Sequence, residues 1–313
     1  MILITKKQFL TLFLALVICQ IQVFSQTYTA TNLQINKVVE GTLLMPDSLE
    51  QPRLAIIVSD YGPVDRDGNQ NFSNNAALKK LAEALAEHGI ASFRYDKRTF
   101  HLNRQRKPVN SVLFDDFVMD ASAVIQHFSD SGQFSSIHII GHGQGSLVGM
   151  LAVNDHVTSF ISLGGAAQSI DATIVEQVTM MDEELGKEAS KIVGKIKNGQ
   201  NVSDIPQPLM SVFNKDVQPF MASWMQYEPT EVLSKLTIPI LIINGSKDLQ
   251  VSTEEAQRLA KSNDGAKLII IDGMNHVLFI IEGDDLENSK SYNEPFRKIS
   301  EELVEAIQDF IHQ

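Results

Sequence analysis

Thiols are nearly missing from this chain: of 313 residues only Cys19 is a cysteine, and it lies in an apolar N-terminal stretch. If that stretch is removed, no disulfide, thiolate nucleophile or cysteine metal site can exist. Stability must then come from an apolar core, and about 290 residues suffice to build one as a single domain. Basic residues are also in deficit, with 26 Lys and Arg against 38 Asp and Glu and a formal charge of −12. Such a surface disfavours nucleic acid and anionic membranes as partners. Long Pro, Gly or Ser tracts and internal repeats are absent, which argues against linkers, disorder and solenoids. HExxH-like spacing is absent too. His138 and His142 are four apart, but on a strand and its turn rather than on a helix, so the sequence implies no metal and no cofactor.

What is present begins with a leader. Lys6 and Lys7 precede an apolar stretch from Phe9 to Val23, and Val23-Phe24-Ser25 suits a cleavage site. The expectation is a signal peptide over 1–25, a mature domain over 26–313, and export to the periplasm or the medium. Loss of Lys6 and Lys7 makes the mature form two charges more negative. An uncleaved anchor would need an unbroken apolar span nearer ~20 residues. A lipid attachment at Cys19 would put bulky Ile18 where a small residue is usual.

Beyond the leader, short β-rich runs alternate with helical stretches. Leu54–Val58, Ala91–Tyr95, Ile137–Ile140, Phe160–Leu163, Pro239–Ile243 and Lys267–Ile271 read as strands. Asn75–His88, Val112–Phe128, Ser146–Val153 and Pro295–Ile311 read as helices. The fold class is therefore α/β: a mostly parallel central sheet flanked by helices on both faces. Ligands bind such sheets beyond the carboxyl ends of the strands. That gathers the loop Asp60–Asn69, the turn at Gly143 and the turn after Ile243. The stretch from 168 to about 230 breaks the alternation and reads as a helical cap insertion over the site, or as a helix pair on the sheet edge.

The chemistry concentrates at Gly141-His142-Gly143-Gln144-Gly145-Ser146, directly after an apolar strand. Its spacing is that of the strand–elbow–helix turn G-x-S-x-G that presents a nucleophilic serine. Both flanking glycines are present, but Gly143 stands in the serine's position. Ser146, three residues on, belongs to the helix and should point away. Asp248, after a strand end, is the candidate acid, or else a turn or N-cap aspartate. His276, after the last strand, is the candidate base, in the chain order nucleophile, acid, base. The oxyanion hole should use the backbone N–H of Gln144 and one from the first loop, near Tyr61 or Gly62.

The chain resembles the alpha/beta-hydrolase superfamily, and within it the bacterial esterase, lysophospholipase and serine aminopeptidase-like branch, from about Ala55 to Ile311. Asp60-Tyr61-Gly62-Pro63-Val64-Asp65-Arg66-Asp67-Gly68-Asn69 resembles that branch's first loop. Arg94-Tyr95-Asp96-Lys97-Arg98 resembles its next strand end. The segments around Asp248 and His276 match as well. Besides Gly143, the departures are Asp60 and Tyr61, which replace small residues and put a charge and a ring near the oxyanion hole.

The resemblance implies a small acyl substrate or ligand and an ancestral ester- or amide-cleaving serine hydrolase working by acyl transfer. Gly143 makes catalytic impairment the expectation. The alternative is a non-catalytic pseudo-hydrolase that binds a small acyl ligand or a partner. In a third route His276 activates a water in the vacated space. An elbow built for serine should accept one again, so Gly143→Ser should restore hydrolysis.

Overall fold

The computed structural model describes residues 27–47 and 49–313; the leader expected over 1–25 lies outside them. One eight-stranded sheet organises the chain. Its strands are β1 (Tyr28–Gln34), β2 (Glu40–Pro46), β3 (Arg53–Val58), β4 (Ile90–Tyr95), β5 (Ser136–His142), β6 (Ser159–Leu163), β7 (Ile240–Gly245) and β8 (Ala266–Ile271). They lie side by side in the order β1-β2-β4-β3-β5-β6-β7-β8. β1 pairs antiparallel with β2, and β2 antiparallel with β4. Every later pairing is parallel.

β1 and β2 escape the sequence reading. β1 is mostly exposed, as suits an edge strand, and carries no long apolar run. The parallel strands are apolar on both faces, and their alternation divides the core. Leu54, Ile56, Ile139 and Ile242 face a layer built by the helices Phe114–Ser131, Gln144–Ala152 and Thr253–Lys261. Ala55, Ile57, Ile140 and Ile243 face Ala77–Glu87 and Glu301–His312. In Ala77–Glu87 the buried residues Ala77, Leu78, Leu81, Ala82, Leu85 and Ala86 recur at helical spacing on one face. The closing helix begins at Glu301, not Pro295. Ser300 is its cap, accepting from the Leu303 N–H at 3.3 Å, and Ile299 is spent on a bridge to Phe279.

Between β6 and β7 the chain leaves the sheet. Ile170–Met181 and Glu183–Lys197 form an antiparallel pair, with Asp182 capping the second helix through the Leu185 N–H at 2.9 Å. Short helices follow at Met210–Phe213, Gln218–Trp224 and Pro229–Leu233. This segment has its own apolar cluster, including Ile192, Ile196, Phe213, Met221 and Met225. Among the described residues no helix is long and apolar enough to cross a membrane.

Candidate active site

Four loops leave the carboxyl ends of parallel strands and meet under the cap. Asp60 follows β3, Gly143 follows β5, Asp248 follows β7 and His276 follows β8. At the elbow Gly143 has φ 52° and ψ −118°, a left-handed conformation that costs a residue with a side chain about 1–3 kcal/mol. The approach of strand and helix is close: a Cβ on Gly145 would lie 2.6 Å from the Ser59 carbonyl oxygen.

The structure brings Asp248 and His276 together, with Asp248 Oδ2 2.8 Å from His276 Nδ1 and both side chains almost fully buried. Oδ1 of Asp248 accepts from the N–H groups of Gln250 and Val251 at 2.8 and 2.9 Å. The residue thus serves its turn and its histidine with different oxygens. Asn275 anchors the His276 loop through Asn288, Ser291 and the Phe279 N–H.

The place of the missing serine side chain is taken. A Cβ built on Gly143 would fall within 2.9 Å of Asp60 Oδ2, and closer still to Oδ1 and Cγ. The Asp60 carboxylate is held on both sides. Oδ1 accepts from the Gln144 N–H at 2.7 Å, and Oδ2 lies 3.1 Å from His276 Nε2. His276 therefore sits between two carboxylates. Burial alone would push its imidazole pKa down, but the charges and hydrogen bonds of Asp248 and Asp60 outweigh that and raise it to about 10. Burial would likewise raise the Asp60 carboxyl, yet the hydrogen bond and charge of His276 carry it well below the usual carboxylate range. Both ring nitrogens of His276 thus face carboxylate oxygens, which favours the imidazolium over the neutral base that the third route needs.

Lys97 escaped the sequence reading as a functional residue. Its Nζ donates to the Asp60 carbonyl and to Gln144 Oε1, each at 2.6 Å, and lies 4.5 Å from the centroid of the Phe117 ring. Burial pushes its pKa down to about 7 against the pull of Asp60. The neighbouring motif residues brace the same loop, Arg66 pairing with Asp96 and Arg94 with Asp67, while Arg98 ties the strand end to the helix Phe114–Ser131 through Asp120 and Asp116. Paired charges in one strand end and one loop were the signal available for this bracing.

The oxyanion candidates separate. The Gln144 N–H points into the site but is occupied by Asp60. Tyr61 lines the cavity, whereas Gly62 is not among its lining residues and instead accepts from Thr99 Oγ1 through its carbonyl. Ser146 is buried, with its Oγ 2.7 Å from Ser162 Oγ. His142 Nε2 donates to the His276 carbonyl at 2.8 Å. Asp60, His142 and His276 offer ligand atoms within 4.8 Å of one another, a spacing that could hold a cation, although one nitrogen of His142 is spent on that carbonyl. His138 is bonded to Ser136 and Ser159 at the other end of β5.

Above the carboxylate lies a cavity of about 530 Å³. Ile174, Val217, Phe220 and Trp224 of the cap contribute to its walls, with Asp60, Gly143 and His276 at its floor. Trp224 stacks between Tyr61, at 5.7 Å, and Phe114, at 5.6 Å, tying the cap to the first loop and to the sheet-side layer. Trp224, which was not singled out from sequence, is the single tryptophan of the chain.

Comparison with known proteins agrees with this architecture. The family model described as "Serine aminopeptidase, S33" matches residues 73–209. The esterase EstD of Thermotoga maritima is 24% identical over 252 residues, covering 78% of this chain and 58% of its own length. The chain thus spans little more than half of that curated relative. Among solved structures, Est1E from Butyrivibrio proteoclasticus superposes with a TM-score of 0.56 at 17% identity, over 91% of this chain and 99% of that one. The Pyrococcus furiosus esterase Pf2001 does so with a TM-score of 0.55 at 14% identity, over 92% and 91%.

Proposed function

We propose that this chain is an exported member of the alpha/beta-hydrolase superfamily, a reading its similarity to esterases supports, that its serine-driven acyl transfer is switched off, and that its capped cavity holds a small acyl ligand. One observation carries the reading: the Asp60 carboxylate occupies the space of a serine side chain on the elbow and takes the Gln144 N–H that would face an oxyanion. Acyl transfer needs a nucleophile, a neutral base and a free oxyanion donor. Here the first is missing, the protonated form of the second is favoured and the third is engaged. The mostly apolar cavity with a polar floor suits a short acyl or aryl-acyl compound.

A fluorophosphonate probe and a short-chain ester panel test the first half, with no labelling and only background hydrolysis expected. Labelling of the native protein that disappears in Ser146→Ala would overturn it. A chain-length series of carboxylic acids, read by Trp224 emission, tests the second half. Export is tested by N-terminal sequencing of the protein from fractionated cells, with Gln26 expected first.

A further inference from the structure

We infer that Asp60, His142 and His276 form a site for a divalent cation of the zinc type, with one coordination position open to the cavity. The three side chains offer ligand atoms that all lie within 4.8 Å of one another. Asp60 Oδ2 and His276 Nε2 stand 3.1 Å apart. Zinc bonds of ~2.0–2.1 Å to nitrogen and oxygen set tetrahedral ligand–ligand edges of roughly 3.3 Å. One pair is thus already at ligand spacing, and no pair within 4.8 Å needs to close by more than about 1.5 Å.

The other bonds of these side chains suit a bound metal. A ligating imidazole donates its second ring N–H to a carboxylate or carbonyl, which fixes the tautomer and aims the remaining lone pair at the ion. His276 does so through Nδ1, 2.8 Å from Asp248 Oδ2. His142 does so through Nε2, 2.8 Å from the His276 carbonyl oxygen, which leaves Nδ1 to coordinate. Asp60 is held in the same way: Oδ1 accepts from the Gln144 N–H at 2.7 Å and Oδ2 is left for the ion. Each ligand is therefore oriented from outside. Two nitrogens and one carboxylate oxygen suit zinc better than magnesium or calcium, which prefer oxygen throughout. Asp60 and Asp248 carry two negative charges against the two positive charges of the ion, so the buried centre is neutral overall. Without the ion, the gap between Asp60 and His276 holds a proton instead.

The ligands come from the ends of three strands: Asp60 follows β3, His142 ends β5 and His276 follows β8. Only the folded sheet assembles them, so the ion should stabilise the fold. Asp60 and His276 line the cavity floor, whereas His142 lies outside the lining, so the open position faces the cavity. Three protein ligands with a fourth position free leave room for an exogenous group. That group follows from the ligand-binding reading of the cavity, on which this step rests. The carboxylate of a short acyl compound takes the open position, and its chain lies against Phe220 and Trp224.

The test titrates the untagged full-length protein, first stripped with a chelator, with zinc chloride against a competing chromophoric chelator. One ion per chain is expected, with a rise in Tm. Losing an outer partner of a ligand weakens metal binding about 10–100-fold, which is the effect expected of Asp248→Asn. Asp60→Ala and His142→Gln remove ligands and should each weaken binding by about 100-fold or more. His138→Gln, at the other end of β5, should leave it unchanged. Thermal melts report the folding of each variant. Cobalt(II) on the wild type adds a readout that needs no variant: the strong visible absorption of a four-coordinate ion rather than the faint bands of a hydrated one. No zinc binding by the folded wild type, or binding indifferent to Asp60→Ala and His142→Gln, overturns the site. If the carboxylic acid series changes Trp224 emission equally with and without zinc, the acyl-ligand reading stands and carboxylate coordination falls. If zinc binds as expected but no acid changes Trp224 emission, the acyl-ligand reading falls and the cation site stands.

Discussion

Gly143→Ser alone should fail, and the structure says by how much. The new Cβ overlaps the Asp60 carboxylate, so Asp60 must leave both the Gln144 N–H and His276. Breaking a buried charged pair costs about 3–5 kcal/mol. The side chain must also adopt φ near 52°, at about 1–3 kcal/mol. A loss of about 4–8 kcal/mol is comparable with the whole stability of a typical domain, about 5–15 kcal/mol. In a chain this size it should lower Tm by on the order of 10 °C or more. The double variant Asp60→Gly/Gly143→Ser removes the overlap, frees the Gln144 N–H and leaves His276 with Asp248 alone. Only the backbone cost should remain at the elbow. Thermal melts, fluorophosphonate labelling and acetate-ester hydrolysis would be measured on wild type, the single and the double variant. Deleting a working nucleophile costs about 10⁶-fold in turnover, and the double variant should recover part of that while the single recovers none. A single variant that melts within a few degrees of wild type and gains esterase activity would refute the placement of Asp60. The idea that the elbow accepts serine by itself neglects what fills the space.

His276 should also shape the pH dependence of stability. Its pKa rises from 6.5 to about 10 on folding, so its stabilisation is full below pH ~6.5 and is lost as pH climbs through about 10. Lys97 works in the opposite sense, because its folded pKa is lowered to about 7 and its penalty fades as pH rises above that. The stability gap between wild type and His276→Gln, measured by denaturant unfolding, should therefore narrow between about pH 6.5 and 10; a constant gap would refute the charged imidazole. Lys97→Met leaves the Asp60 carbonyl and Gln144 Oε1 without their donor and should cost on the order of 1–3 kcal/mol. Phe213→Ala, at a fully buried position of the cap, should cost about 3–5 kcal/mol and speed proteolysis between 168 and 230 ahead of the sheet domain.

The parallel strands and the order Gly143, Asp248, His276 were legible in the sequence because apolar runs and turn glycines are local patterns. β1 was not, because an exposed edge pairs through its backbone and leaves little side-chain signature; β2 is interior and buried, but its apolar run Leu43-Leu44-Met45 is only three residues long. Asp60 and Gly143 could each be seen as departures, but their relation could not. They are 83 positions apart in the numbering, and only the pairing of β3 with β5 sets the carboxylate of one into the space beside the other. The same holds for Lys97, whose bonds to Asp60 and Gln144 join three strand ends. Sequence by itself determined which residue types stand at the ends of which strands. Tertiary structure decided which of them touch, and so which carry charge, because burial, hydrogen bonding and the field of a neighbouring group act through space rather than along the chain.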